Sequence, residues 1–174
     1  MKEISEFKFK CSSCDEIHVG IPNLGTKAPL QYYSIPKMET KERVILTSDT
    51  CVIDDEYFYV RGCLELPVIG FTDFFSFGAW VSLSEEDFSK YNELFEVDLR
   101  DEVAPMFGWF SSWLWPLYED DEDIKSRIHL RNHGIRPYIE LEPTEHPLAL
   151  AQKNGISDKV LIKIYEYYVH GKRN

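Results

Sequence analysis

Residues 50–66 read TCVIDDEYFYVRGCLEL, and they carry the clearest structural signal in the chain. Two runs rich in β-branched and aromatic residues flank the acidic triplet 54–56, which is typical of a β-hairpin. Successive side chains of a strand point to opposite faces, so the second arm has an apolar face and a mixed face. The apolar face holds Phe58, Val60, Leu64 and Leu66, and the mixed face holds Tyr59, Arg61, Cys63 and Glu65. The pattern predicts a strand with one face on a core, which ends at Pro67.

Further strand patterns lie on both sides of this hairpin. The segments RVILT at 43–47 and FFSFGAWVSL at 74–83 each predict one strand. Segments 124–131 and 136–141 predict a second hairpin, which turns at 132–134. Because strands outnumber helices and do not alternate with them, the pattern predicts an α+β fold with a mostly antiparallel sheet.

About three helices are expected beside this sheet. Ser84, followed by Asp87, resembles a capping box and predicts the start of the first helix. Pro147 suits the first position of a short second helix, and Gly155 suits the position after its end. Ser157 is expected to cap the last helix.

The length of 174 residues fits a single domain spanning 1–174. We divide it into a CxxC knuckle with a proline-rich covering loop at 7–36, a core at 43–156 and a C-terminal helix at 157–174. The acidic run at 119–123 predicts a solvated loop. Surface scaling gives a buried fraction of about 70%, which needs no disulfides for stability.

The charge of the chain excludes several classes of function. Asp and Glu number 30 against 19 Lys and Arg, so the net charge is −11. Such a surface repels nucleic-acid phosphates and anionic membranes, because affinity for both comes from basic residues. The uncharged stretch 103–118 is too short for a membrane span of about 20 residues. We therefore expect a cytoplasmic protein whose cysteines are reduced or bound to a metal. We expect no nucleic-acid ligand, and we expect a protein partner for the acidic surface.

The aromatic residues of 103–118 are more numerous than one strand can bury on a single face. We expect some of them to cover a sheet face or to contact another subunit, which leaves a homo-oligomer as an alternative.

Four stretches of the chain resemble an uncharacterised bacterial family, number 2199 of the domains of unknown function. They are CSSCDEIHVGIP at 11–22, DTCVIDDEYFYVRGCLELPV at 49–68, FGAWVSLSEEDF at 77–88 and HLRNHGIRPYIELEPTEHPLALAQKNGI at 129–156. The resemblance implies an intact domain of a bacterial protein, and the family has no established activity to carry over. In that family a glycine usually follows the second cysteine of the opening motif, whereas this chain has Asp15. A glycine would suit a tight turn around a metal ion.

Cys11 and Cys14 are the sharpest local signal for chemistry. Two thiolates at CxxC spacing can both reach one tetrahedral ion, and His18 is close enough in sequence to be a third ligand. This pattern indicates a structural zinc knuckle, with a metal-free turn or redox use of the thiols as alternatives. The candidates for a fourth ligand are Cys51, Cys63 and His146.

The predicted hairpin limits how these cysteines combine. If it turns about Asp55, Cys51 lies opposite Tyr59, and Cys63 is about 13 Å further along the strand. Sulfur atoms on one zinc lie within about 4 Å of each other. We therefore expect that Cys51 and Cys63 neither share a zinc ion nor form a disulfide.

Charged residues between 131 and 146 form a second candidate site. Arg131 and Arg136 have the chemistry to clamp a carboxylate or phosphate, and Glu145 with His146 has the chemistry for proton transfer. The structural alternative is that the arginines flank a turn and His146 caps a helix. The sequence thus favours a binding or adaptor domain with a zinc knuckle. The alternatives are a small hydrolase-like enzyme that uses this second site, or a purely structural domain.

Overall fold

The computed structural model describes residues 2–118 and 122–171, so the predicted loop at 119–123 and the predicted helix at 157–174 lie partly outside the described residues. Within these ranges the chain forms ten strands and four α-helices. The strands are β1 (Lys8–Lys10), β2 (Ile17–Val19), β3 (Leu24–Gly25), β4 (Val44–Leu46), β5 (Thr50–Ile53), β6 (Tyr57–Pro67), β7 (Phe74–Leu83), β8 (Met106–Phe110), β9 (Lys125–His129) and β10 (Tyr138–Leu141). The helices are α1 (Thr40–Arg43), α2 (Glu85–Glu93), α3 (Pro147–Asn154) and α4 (Asp158–His170).

Strands β6 to β10 close into a five-stranded barrel. Each pairs antiparallel with the next along the chain, and β10 returns to pair with β6. Strand directions cannot alternate around a ring with an odd number of members, so one neighbouring pair has to run parallel. That pair is β6 with β10, in which Cys63 lies opposite Tyr138. The predicted mostly antiparallel sheet is therefore a mixed closed barrel with additional strands.

Strand β6 serves two neighbours on one of its edges. The first residues of this edge pair with β5, and residues further along it pair with β10. The opposite edge of β6 pairs with β7. Strands β5 and β4 consequently extend the sheet outside the ring. The register places Cys51 opposite Tyr59, which confirms the prediction from a turn about Asp55.

The inside of the barrel is the main core. Val60, Leu64 and Leu66 have no exposed surface there, which confirms the predicted apolar face of β6. Phe58, the remaining member of that face, is half-buried, and its ring centroid lies 5.1 Å from that of Phe88 on α2. The other ring strands contribute Phe75, Phe77, Val81, Met106, Phe110, Ile128 and Ile139.

A smaller cluster lies on the outer face of β5, β6 and β7. Trp80 and Cys51 are completely buried in it and pack with Tyr59. The segment 20–36, predicted as a covering loop, contributes Ile35 to this cluster. The same segment also contains β3, which pairs parallel with β7 and is therefore a short element inside the loop.

The helix caps agree with the sequence predictions. The hydroxyls of Ser84 and Ser157 each accept a hydrogen bond from a backbone N–H three residues later, at 3.1 and 3.3 Å. Pro147 is the first residue of α3. The described residues contain one helix more than predicted, because α1 adds a single turn directly before β4, which forms within the strand predicted at 43–47.

Strands β1 and β2 form a separate hairpin that rests on α4. The ring of Phe9 packs edge-on against Tyr165 at 5.0 Å, and the N–H of Gly20 donates to the carbonyl of Phe7 at 2.8 Å. Ile164, the preceding residue of α4, is buried in the same core as Phe9 and Tyr165. The ring of Tyr168 packs against Phe77 of β7 at 5.1 Å, so the helix contacts both the barrel and this hairpin, whose turn is the CxxC motif. In the ranges described, no helix combines the length and apolar character needed to cross a bilayer.

Candidate metal centre

The turn between β1 and β2 brings two thiols together. The carbonyl of Cys11 accepts the N–H of Asp15 at 3.0 Å, and the N–H of Cys11 donates to the carbonyl of Glu16 at 2.9 Å. Asp15 has a left-handed backbone with a φ angle of 62°, a conformation that glycine adopts with the least strain. This tight turn holds the sulfur atoms of Cys11 and Cys14 within 4.8 Å of each other.

His18 faces the same turn from β2. Its ring lies beside Phe9 and Tyr165, with centroid distances of 5.6 and 5.0 Å. The Nδ1 atom lies 3.1 Å from the Tyr165 hydroxyl, and the Nε2 atom lies 3.1 Å from Sγ of Cys14. Metal-binding histidines commonly use one ring nitrogen for such an orienting contact and the other for the metal.

The fourth member of the cluster is His170, in the last turn of α4. Its ring centroid lies 6.2 Å from that of His18 and 5.9 Å from that of Tyr165. Its Nε2 atom is enclosed and has no hydrogen-bond partner among the residues that the structure describes. Because enclosed polar atoms are nearly always paired, this nitrogen is a candidate metal ligand.

The four side chains match the ligand set of a structural zinc site. The ligand atoms of Cys11, Cys14, His18 and His170 all lie within 4.8 Å of one another. Tetrahedral zinc, with bonds of about 2.0–2.3 Å, places its ligand atoms about 3.3–3.8 Å apart. The bound of 4.8 Å lies within about 1 Å of this range, so small side-chain movements would bring the ligand atoms to zinc-binding distances. The set would fill all four positions of a tetrahedral ion with protein atoms.

Helix α4 supports the CxxC turn as well as supplying His170. The buried carboxylate of Glu166 accepts hydrogen bonds from the N–H and the hydroxyl of Ser12, at 2.6 and 2.7 Å. The N–H of Ser13 lies 3.3 Å from Sγ of Cys11 and donates to it, which fixes the position of that sulfur in the turn. The position of the turn is thus tied to the same helix that carries the fourth ligand.

The protonation of Cys14 is set by opposing influences. The backbone N–H of Glu16 lowers the pKa of Cys14, whereas burial and the neighbouring Cys11 raise it, and the net shift is upward. A metal ion that binds this sulfur therefore has to displace its proton, which makes metal affinity dependent on pH.

The residues predicted as fourth ligands lie elsewhere, and His170 takes their place in the cluster. Cys51 is completely buried in the outer cluster, where burial raises the pKa of its thiol to about 11. Cys63 is half-buried on β6, and both cysteines are free thiols. His146 caps α3, and its Nδ1 atom accepts the N–H of Leu148 at 3.0 Å.

The residues of the second predicted site each have local contacts. Arg131 forms an ion pair with Glu65 at 2.6 Å, and Arg136 pairs at 2.7 Å with the carboxylate directly before β5. Glu145 is exposed, whereas the adjacent His146 is buried in its capping position. Arg131 and Arg136 are thus neutralised by carboxylates, and the enzyme hypothesis stays a prediction that this arrangement does not support.

A family model described as "Uncharacterized protein conserved in bacteria (DUF2199)" matches residues 10–156. The match includes Cys11, Cys14 and His18 and ends before His170. No curated protein and no solved structure matches the chain. The resemblance carried by the four sequence stretches is confirmed, and the chain belongs to the DUF2199 family of uncharacterized proteins conserved in bacteria.

Proposed function

We propose that Cys11, Cys14, His18 and His170 bind one structural zinc ion, which ties the N-terminal hairpin to α4. The observation that carries this proposal is the enclosed Nε2 atom of His170, which lacks a hydrogen-bond partner in the described ranges and lies beside two thiols and an imidazole. Zinc is the cation that this tetrahedral sulfur and nitrogen set suits best. Mg²⁺ and Ca²⁺ are disfavoured because both prefer oxygen ligands.

The proposed zinc has a clear structural task. Strands β1 and β2 have three residues each, and a two-stranded hairpin of this size is marginally stable in water. A metal that binds only the folded arrangement adds its binding free energy to the stability of that arrangement. Zinc therefore stabilises the docked hairpin and, through Tyr165 and Glu166, its contact with α4.

We infer that the domain serves binding rather than catalysis. A zinc ion with four protein ligands has no open position for water or substrate, so the proposed metal is structural. The net charge of −11 favours a basic protein partner through electrostatic steering. These two properties support an adaptor role for the zinc-bound fold.

The metal content of the purified full chain tests the zinc proposal. We expect about one zinc per chain by elemental analysis, and the visible spectrum of tetrahedral thiolate coordination after exchange with Co²⁺. Cys14→Ser and His170→Ala are each expected to lose most of the zinc and to lower Tm by at least about 5 °C. His170→Ala is the more informative variant, because no local spacing rule links it to the CxxC motif.

Two matched substitutions serve as controls for this experiment. Cys63→Ser and His129→Gln remove the same side-chain types from positions outside the cluster, and both are expected to keep the full zinc content. The proposal is wrong if protein refolded with zinc stays metal-free, or if His170→Ala binds zinc as tightly as the unmodified chain.

A further inference from the structure

Arg61 lies on the outer face of β6, away from the proposed zinc ligands. Its register partner on β7 is the completely buried Trp80, and its guanidinium carbon lies 5.9 Å from the centroid of that ring. The backbone N–H of Arg61 donates to the carbonyl of Asp49 at 2.8 Å. Arg61 itself is half-buried. The guanidinium is thus stacked on an aromatic side chain that the fold holds in place.

Two glycines provide the space that this guanidinium occupies. Gly25 of β3 and Gly78 of β7 lie opposite each other in the sheet. A Cβ atom on Gly78 would lie 2.9 Å from Nη2 and 3.1 Å from Nε of Arg61, and one on Gly25 would lie 3.0 Å from Nη2. The guanidinium therefore approaches the backbone of both strands more closely than larger residues would permit.

Arg61 forms no ion pair with an acidic side chain among the described residues. The nearby Arg136 forms an ion pair with Asp49 at 2.7 Å, and Arg131 pairs with a carboxylate of β6 at 2.6 Å. The Nε atom of Arg61 is enclosed and lacks an acceptor in the described part of the chain. Burial lowers the pKa of the Arg61 guanidinium, and Arg136 adds to this effect, while Asp49 opposes it.

We propose that Arg61 binds an oxyanion, the carboxylate or phosphate group of a small molecule, beside Trp80 and the two glycines. A guanidinium that is partly removed from water without a counter-ion is costly, and an oxyanion supplies both the opposite charge and the missing acceptors. The adjacent pair of Asp49 and Arg136 is neutral as a unit. The positive charge of Arg61 thus makes this face attractive to an anion despite the acidity of the whole chain.

The oxyanion site and the zinc site share no residue. Arg61, Gly25, Gly78 and Trp80 belong to β3, β6 and β7, whereas the metal cluster lies on the N-terminal hairpin and α4. Failure of one proposal therefore leaves the other intact, and the anion experiment uses the zinc-loaded full chain.

NMR titration of the arginine Nε–H resonances tests this site directly. Inorganic phosphate and acetate are added in separate titrations at constant ionic strength, so that the two oxyanion chemistries are distinguished. We expect one of them to shift the Arg61 resonance in a saturable way, and the resonance is identified by its loss in Arg61→Lys. The indole N–H resonance of Trp80 follows binding in the variants, and Arg61→Gln is expected to weaken it at least about tenfold.

Arg127→Gln is the matched control, because it removes the same charge from an exposed position on β9. It is expected to leave the affinity unchanged. Arg61→Lys keeps the positive charge but lacks the planar guanidinium, so we expect it to bind the anion with intermediate affinity. This variant also tests the site if Arg61→Gln does not fold. Absence of saturation by either anion, or equal binding by Arg61→Gln and the unmodified chain, would overturn the proposal.

Discussion

Asp15 is a residue whose backbone is set by the turn around the thiols. Its φ angle of 62° lies in the left-handed region, where residues with a Cβ atom lose about 1–2 kcal/mol, aspartate less than most and glycine nothing. Its carboxylate contributes an exposed ion pair with Lys10 at 3.7 Å, a type of contact that adds little stability. The glycine that the family resemblance implies at this position thus has a physical reason.

We predict that Asp15→Gly raises the free energy of unfolding by roughly 0.5–1 kcal/mol. The strain energy that glycine removes from the folded chain is expected to exceed the free energy by which its extra conformational entropy stabilises the unfolded chain. Urea denaturation followed by circular dichroism measures the change, with and without chelator so that metal binding is separated from backbone strain.

Asp15→Asn and Asp15→Ala are the controls for this substitution. Asparagine removes the charge but tolerates the left-handed region, so its stability is expected to match that of the unmodified chain. Alanine is expected to be less stable by about 1 kcal/mol. A destabilised Asp15→Gly would show that the carboxylate, rather than the backbone, determines the stability of the turn.

At the scale of elements, the contact between β7 and β8 depends on Gly108. A Cβ atom at this position would lie 1.9 Å from the carbonyl oxygen of Ser82 and 2.5 Å from a methyl carbon of Val81. The obstructing oxygen belongs to the backbone of β7, so no side-chain rotation relieves the clash. The glycine therefore permits the close approach that this side of the ring requires.

We predict that Gly108→Ala lowers the free energy of unfolding by about 3 kcal/mol, because β8 has to move away from β7. Gly134→Ala is the comparison, since nothing lies within 4 Å of its added Cβ and only its φ angle of +66° is unfavourable. Its expected loss is about 1 kcal/mol. If both variants lose the same free energy of unfolding in urea denaturation, moving β8 away from β7 costs no free energy and the prediction is wrong.

Single elements are predicted well where their signal is local. The alternating burial of β6 and the caps at Ser84 and Ser157 follow from side-chain periodicity and from hydroxyls that accept helix N–H groups. Closure of the ring is not predicted, because the parallel contact between Cys63 and Tyr138 joins strands that are distant in sequence. The periodicity of side chains identifies β6 and β10 as strands, but it does not show that the two strands pair with each other.

At the scale of the whole molecule, the proposed zinc divides the stability of the chain into two parts. Phe9 and Cys11 of the N-terminal segment pack in the same core as the barrel residues, but the hairpin of β1 and β2 is short and its segment carries three of the four proposed ligands. We predict that chelation increases hydrogen exchange at the backbone amides of Cys11 and Gly20 by at least about tenfold and leaves those of β6 and β7 unchanged. Mass spectrometry of exchanged peptides measures both regions.

Equal loss of protection in the hairpin and the barrel would contradict this division, and so would an unchanged hairpin. His170→Ala without chelator is expected to give the same pattern as chelation, which excludes effects of the chelator itself.

Only the members of the candidate site that are close together in sequence were predictable. Cys11, Cys14 and His18 are close in sequence, so their spacing alone indicates a shared ion. His170 reaches the cluster because α4 packs against both the barrel and the hairpin, and that packing depends on the whole fold. A histidine in the last turn of an amphipathic helix carries no metal signal by itself. For the same reason, the sequence gives no sign that Arg61 lacks an acidic partner.

Closure of the ring also determines where a second polypeptide can be added to the sheet. The five ring strands each have neighbours on both sides, whereas β4 and the two-residue β3 each pair on one side and end the sheet. On β4, Ile45 and Leu46 are 63% and 40% exposed. Unpaired backbone groups beside exposed apolar side chains form a template for strand addition and aggregation. Self-association by main-chain pairing, including insolubility during overexpression, would therefore begin at β4 and spare the barrel.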